Sequence, residues 1–141
     1  MKVCIVIMMF IAAIGCNNRN NIHTNWNSGY VNSLGKYINE QKDLSLDVYQ
    51  EKGLLRYQIV IGKDTVLKSN ENSSIYQRWF IYLSDDEKLW VESSDIGCWV
   101  WMKDDENIYR KLHLQNRPKD LKIPKPFLDS LPQNLKKILI N

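Results

Sequence analysis

The residue types that most often carry catalysis are sparse in this chain of 141 residues. Cys98 and His113 supply a thiol and an imidazole, which form a nucleophile when the two side chains meet. Cys98, however, falls on the aliphatic side of a predicted strand, where a buried and inert thiol is common. The sequence has no serine in a nucleophile-elbow context and no pair of histidines with metal-ligand spacing. We therefore predict no catalytic residues, no metal site and no cofactor.

Carboxylates are the other groups that could do chemistry. Two acidic runs, Asp85-Asp86-Glu87 and Asp104-Asp105-Glu106, could ligate calcium, but neither has the spacing or the central glycine of an EF-hand loop. Solvated hairpin turns are the interpretation that we favour for them. Glu92 and Asp95 are the residues that a hydrolase could use as acid and base, although nothing in the sequence marks their environments as different.

Aromatic residues are concentrated in an internal repeat. Residues 80–90 align without gaps on residues 99–109, and each unit reads as an aromatic-rich strand, an acidic turn and a second aromatic-rich strand. The repeat predicts two successive hairpins of an antiparallel meander. Two interpretations stay open: the rings form the core, or one row of them faces solvent and binds a protein or stacks on sugars. The candidate binding residues are Tyr82, Trp90, Trp99, Trp101 and Tyr109.

The elements that must position these residues are mostly strands. A strand-rich region runs from about Leu44 to Tyr109. Period-2 alternation marks its first strand at Leu44, Leu46 and Val48, and residues 54–61 are the clearest strand. The spacing of Leu34, Tyr37, Ile38 and Gln41 predicts a short helix before this region. Beyond His113 the chain is basic and interrupted by prolines. A last helix follows Ser130, with its apolar residues on one face. These patterns predict an α+β fold, an antiparallel meander covered by a C-terminal helix.

The N-terminal segment has the features of a bacterial targeting leader. Lys2 precedes an uncharged apolar run over residues 3–14, which is too short to span a bilayer. Residues 12–16 (AAIGC) resemble the lipobox of bacterial lipoproteins, with Ala13 where that family more often has leucine. The resemblance implies cleavage after Gly15 and lipid on Cys16. It divides the chain into a signal peptide (1–15), a lipidated cysteine with a flexible Asn- and Ser-rich tether (16–33) and one globular domain (34–141).

The cysteine count, the net charge and the residue after Cys16 limit the possible disulfides, binding partners and location of the protein. After cleavage only Cys98 remains beside the lipidated Cys16, so no internal disulfide can form. The weak basic excess, with no stripe of lysine and arginine, is not the footprint of a nucleic-acid-binding protein. Lipoproteins with Asn rather than Asp after the cysteine generally travel to the outer membrane in bacteria with two membranes. The resemblance therefore implies anchoring in the envelope through Cys16, facing the periplasm.

Three functions fit this description. The first is a membrane-anchored module that binds an envelope or secreted protein, as an inhibitor, immunity or assembly protein. The second is a lipoprotein that binds a glycan or the cell wall, and the third is an envelope hydrolase. The aromatic-rich sheet and the absence of a recognisable catalytic group favour the first.

Overall fold

The structure, a computed structural model, describes residues 21–140. The predicted signal peptide and Cys16 lie outside these residues. In chain order the strands are β1 (Ile22–His23), β2 (Gly29–Val31), β3 (Gly35–Asn39), β4 (Leu44–Glu51), β5 (Leu54–Ile61), β6 (Asp64–Lys68), β7 (Trp79–Leu83), β8 (Leu89–Ser93), β9 (Gly97–Lys103) and β10 (Tyr109–His113). Two helices follow, α1 (Lys125–Ser130) and α2 (Gln133–Ile140). The predicted α+β fold, with its antiparallel sheet and C-terminal helix, is confirmed.

The strands form two five-stranded sheets. Sheet A has the order β1-β3-β4-β5-β6, and sheet B has the order β10-β9-β8-β7-β2. Neighbouring strands are antiparallel except β1 and β3, which are parallel. The predicted meander of two hairpins is β7 to β10, and β2 extends it at the β7 edge.

The main core lies between the two sheets and follows from the period-2 alternation of the strands. Sheet A contributes Leu46 and Ile59, and sheet B contributes Ile81, Val91 and Trp99, all fully buried in one cluster. Residues with the opposite parity on β7, β8 and β9 belong to a second cluster on the other side of sheet B. Sheet B is therefore apolar on both faces.

The C-terminal segment covers the outer face of sheet B. Phe127 of α1 is completely buried, with its ring centroid 5.2 Å from that of Phe80 and 5.7 Å from that of Trp90. Leu131 and Leu139 are buried in the same cluster. The chain accommodates α1 in its proline-rich stretch because Pro126 lies in the first turn, where no amide hydrogen bond is lost.

The two hairpins repeat with an offset that differs from the gapless sequence alignment. The amide of Glu87 donates to Ser84 O and that of Asn107 to Asp104 O, both at 2.9 Å. Glu87 and Asn107 also share a left-handed backbone, with φ of 62° and 63°. The turns therefore correspond at an offset of 20 residues, where the alignment used 19. An even offset keeps equivalent residues on the same face of the sheet, and an odd one exchanges the faces.

The region before β4 differs from both predictions made for it. Residues 35–39 form β3 where a helix was predicted, because pairing with β4 buries alternate residues and overrides the local spacing. The tether does not extend to residue 33. Val31 is buried in the main core, and the ring of Trp26 lies 5.6 Å from that of Tyr37. The folded domain thus begins by Ile22, since β1 pairs with β3.

Candidate binding surface

The five aromatic residues predicted as a binding face do not form one. Trp99, Trp101 and Tyr109 belong to the cluster between the sheets, whereas Tyr82 and Trp90 belong to the cluster beneath the C-terminal segment. Trp90, Trp99 and Tyr109 are buried, and the other two are half-buried. Their burial favours the core interpretation, most clearly for Trp90, Trp99 and Tyr109. On the outer face of sheet B, the most exposed aromatic ring of the described strands is that of Tyr30 on β2, which lies opposite Tyr82.

Trp99 and Trp101 instead take part in a buried polar network that joins the sheets. Both indole Nε1 atoms donate to the Tyr57 hydroxyl at 2.9 Å. That hydroxyl donates to Glu71 Oε2 at 3.2 Å, and Lys111 Nζ donates to Glu71 Oε1 at 3.1 Å. Tyr57 comes from sheet A and the two tryptophans from sheet B, so one hydroxyl ties the two layers together.

The hydrogen bonds of the Tyr57 network stabilise the fold, and the Tyr57 hydroxyl is not suited to proton transfer. A tyrosine hydroxyl has one proton and two acceptor positions, and here each of them is used. Burial raises the pKa of Tyr57 well above its usual value, and the nearby Glu71 carboxylate raises it further. The hydroxyl therefore stays protonated at physiological pH. Nothing in the local sequence marks Tyr57, because its partners lie 14 to 44 residues away along the chain.

The thiol and the imidazole lie on opposite faces of sheet B. Cys98 packs in the cluster beneath the C-terminal segment, whereas the His113 ring lies tilted at 6.3 Å from that of Trp99, which faces sheet A. Burial raises the pKa of Cys98 to about 12, with the Glu92 carboxylate as a second cause. The thiol stays protonated and has no base beside it. The two residues cannot act as a nucleophile and its base in this fold.

The carboxylates considered for hydrolysis have different surroundings. Glu92 is fully buried on the outer face of sheet B, where it pairs with Arg78 and leaves its Oε2 atom without a hydrogen bond. Burial raises the pKa of Glu92, although Arg78 opposes this effect. Asp95 is exposed in the β8–β9 turn and accepts a hydrogen bond from the amide of Ser74 at 2.8 Å. A buried Glu92 cannot reach a polymeric substrate, so this geometry does not suit an acid and base pair.

In each acidic turn, at least one carboxylate forms an ion pair with a basic side chain of this chain. Glu87 accepts from Lys103 Nζ at 2.8 Å and lies 3.7 Å from Lys42 Nζ, and the Lys103 hydrogen bond lowers the pKa of Glu87. Asp104 pairs with Arg110 and caps its own turn. Among residues 21–140, no group of three His, Cys, Asp or Glu side chains could hold a metal ion.

The surface that remains for binding is the outer face of sheet A. Its central residues are half-buried, and its apolar Ile38 and Val60 belong to neither hydrophobic cluster, whereas the outer face of sheet B shares a cluster with α1 and α2. Asp47 lies near its centre, with Lys36 Nζ at 3.7 Å from Oδ1 and Gln58 Nε2 donating to Oδ2 at 3.1 Å. Half-buried Ile38 and Val60 lie beside these polar groups.

Two open depressions flank Lys36 on this face. One, of about 340 Å³, is lined mostly by β3, β4 and the residues that follow β3, including Asn39 and Ser45. The other, of about 380 Å³, extends from Lys36 past Asp47 and Tyr49 to Ile22. We call this area the free face and define it by Lys36, Ile38, Asp47, Tyr49, Gln58 and Val60. It combines apolar area with polar groups at fixed positions, as protein-binding surfaces do.

The chain matches no family model, no curated protein and no solved structure. None of the helices in residues 21–140 is long and apolar enough to span a membrane.

Proposed function

We propose that the protein is a lipid-anchored envelope protein that binds another protein through the free face of sheet A. The observation that carries the proposal is the contrast between the sheets: sheet B is covered on both sides, whereas the outer side of sheet A is open. An open sheet face with mixed apolar and polar residues suits a partner that supplies its own layer. An inhibitor, an immunity protein or an assembly factor would all act in this way.

The anchor rests on the leader and on Cys16, and it has its own test. In a bacterial host, the full-length protein should incorporate radiolabelled palmitate and sediment with the membranes. Cys16→Ser should abolish the label and release the protein from the membrane fraction. Cys98→Ser is the matched control, because its thiol is half-buried and should accept no lipid. Palmitate that persists in Cys16→Ser would contradict the anchor.

Binding through the free face is best tested in the intact envelope, with a photo-crosslinking residue in place of Gln58. We expect one predominant protein adduct at this position. The same crosslinker in place of Asp129, an exposed residue of α1, should give none. Equal adducts at both positions, or none at position 58, would contradict the proposed surface.

A charge reversal shows whether such an adduct reflects specific binding. Lys36→Glu breaks the ion pair with Asp47 and places two negative charges side by side at the centre of the free face. It should reduce the adduct at least tenfold, because like charges at an interface cost several kcal/mol. Lys125→Glu reverses the equivalent member of an exposed ion pair on α1 and should leave the adduct unchanged. Truncation of Trp99 would be a poor test, since that ring is core.

A glycan ligand is the outcome to consider if no protein adduct forms. The free face offers hydrogen-bonding groups for sugar hydroxyls, such as Lys36 and Gln58 in the second depression. The five aromatic rings invoked for stacking are not on it, and Tyr49 is the aromatic residue that lines the second depression. Binding of a cell-wall fragment that Tyr49→Ala weakens would move the proposal to this class.

A further inference from the structure

The two ends of the sandwich differ in chemistry. At one end, the bridge between Leu54 and Ser74 and the 2.8 Å hydrogen bond from the Ser74 amide to Asp95 join the β4–β5 turn to the β8–β9 turn. We call this the proximal end and define it by residues 51–54, 69–78 and 94–97. At the distal end, defined by residues 40–43, 62–63, 84–88 and 103–108, Lys42 Nζ donates to Asp85 O at 3.0 Å.

The described chain enters the domain from the proximal end. The amide of Lys36 donates to Asn21 O at 2.8 Å, and β1 runs parallel to β3. Strand β3 starts at Gly35, which pairs with Val48, and β4 continues from there to the proximal turn. Residues that precede Asn21 are therefore attached beside the proximal half of sheet A.

The length of chain between Cys16 and Asn21 limits how far the domain can lie from a lipid on Cys16. Five residues span at most about 17 Å, whatever their conformation. The β4–β5 hairpin extends three residues beyond Val48, or about 10 Å. The difference is only a few ångströms, comparable with the thickness of one headgroup layer. A chain entering from this end therefore leaves little room between the proximal end and the headgroups.

The proximal end carries apolar side chains that the fold leaves in solvent. Tyr76 is 80% exposed, with its ring against Gly53 in the β4–β5 turn, and Ile96 is 38% exposed in the β8–β9 turn. Helix α2 reaches this end, because Ile138 lines a small depression together with Gly97 at the start of β9. Ile138 and Ile140 are 59% and 64% exposed. Tyrosine and isoleucine beside charged groups are typical of surfaces that contact the membrane interface.

Charged residues are also distributed unequally between the proximal and distal ends. Residues 117–141, which include α2, carry six lysines and arginines against two aspartates. Lys52 occupies the β4–β5 turn, and Lys136 and Lys137 lie in α2. The exposed acids of the proximal end are held within it, because Glu51 pairs with Arg56 and Asp95 accepts hydrogen bonds from Ser74 and Ser93. The distal end instead carries both acidic hairpin turns. Basic residues near an anionic bilayer contribute about 1 kcal/mol each, so this distribution favours one orientation.

We propose that the proximal end rests on anionic lipid headgroups, with the strands upright on the bilayer and the acidic turns pointing away from it. The partner of this surface is the membrane itself. The inference rests on the proposed anchor at Cys16. In this orientation the free face of sheet A is perpendicular to the bilayer. The anchor therefore keeps the free face away from the lipid and accessible to a partner.

The orientation is testable on the full-length lipidated protein in vesicles of phosphatidylethanolamine and phosphatidylglycerol. In a Cys98→Ser background, a fluorophore is attached to Tyr76→Cys, Gln58→Cys or Asp105→Cys, one at each end and one on the free face. A nitroxide on the lipid headgroup should quench the label at 76 several-fold more than the labels at 58 and 105. Equal quenching at 76 and 105, or the strongest quenching at 58, would overturn the upright orientation.

The charge contribution is tested in the same assay. Lys52→Glu/Lys137→Glu should reduce quenching at 76 in these vesicles and have little effect in vesicles of phosphatidylcholine alone. Lys63→Glu, at the distal end, is the matched control and should change neither. An unchanged signal in the double variant would overturn the role of anionic lipid. Flotation of the protein with the vesicles separates the two proposals: a protein that does not float contradicts the anchor, whereas one that floats without the label difference contradicts the orientation alone.

Discussion

Sheets A and B have the same number of strands but different surroundings. Sheet B is buried on both faces, and its outer side depends on a segment more than ten residues beyond its last strand. Sheet A is buried on one face, and its other face carries an ion pair and open depressions. The aromatic residues therefore concentrate in sheet B for stability, while sheet A supplies the accessible surface. In this molecule, aromatic density indicates the core.

The largest expected effect is the loss of stability when the Phe127 ring, which covers the outer face of sheet B, is removed. Phe127→Ala should lower the free energy of unfolding by about 3–5 kcal/mol, because it leaves a cavity against Phe80 and Trp90. Ile38→Ala, on the free face of sheet A, should cost about 1 kcal/mol or less, since its side chain is only half-buried. Urea unfolding of the purified protein, followed by tryptophan fluorescence, measures both. Equal losses would contradict the difference between the two outer faces.

A second test separates the polar group that joins the sheets from one that lies in the open. Tyr57→Phe removes the acceptor of two indole donors and should cost about 2–4 kcal/mol, since each buried unpaired group costs about 1–3 kcal/mol. Tyr49→Phe, on the free face, should change the free energy of unfolding by no more than about 0.5 kcal/mol. A Tyr57→Phe protein as stable as the wild type would show that the network contributes nothing to holding the layers together.

The smallest expected effect concerns the buried carboxylate of sheet B. Burial raises the pKa of Glu92 in the folded state, so the folded protein holds this proton more tightly than the unfolded chain does. Stability relative to Glu92→Gln should therefore fall as pH rises from the ordinary glutamate range through the raised pKa, by on the order of 1 kcal/mol. Unfolding of both proteins between pH 4 and 7 measures the difference.

The other carboxylates are present in both proteins, so the difference between the two stability curves isolates Glu92 together with its interactions with Arg78 and Asp95. Glu106→Gln, in an exposed hairpin turn, is the matched control and should change the free energy of unfolding by no more than about 0.5 kcal/mol. A stability difference for Glu92→Gln that rises with pH would mean that the ion pair with Arg78 outweighs the burial.

Much of the fold was predictable because successive residues of a strand point to opposite faces of the sheet, so the sequence of a strand indicates which residues share a face. The placement of Cys98 on the aliphatic side of its strand was correct, because it shares a cluster with Val100 and Met102 while Trp99 and Trp101 lie in the other. The helix predicted at residues 34–41 was wrong because period-2 and period-3.6 patterns coincide over so few residues, and only the pairing of β3 with β4 separates them. The repeat was found, but its offset was wrong by one because the turn geometry, not residue similarity, sets the register.

The sequence by itself determined the strands from β4 onward, the acidic turns and the last helix, because each of these is encoded by neighbouring residues. The anchor at Cys16 stays a prediction from the sequence. Only the tertiary structure decided which faces are covered. Trp90 and Trp99 became core, Tyr57 met partners from distant strands, and the free face emerged on sheet A, where no pattern had marked a site. The physical reason is that burial depends on what the opposite layer supplies, and a strand has the same alternation whether or not its outer face is covered.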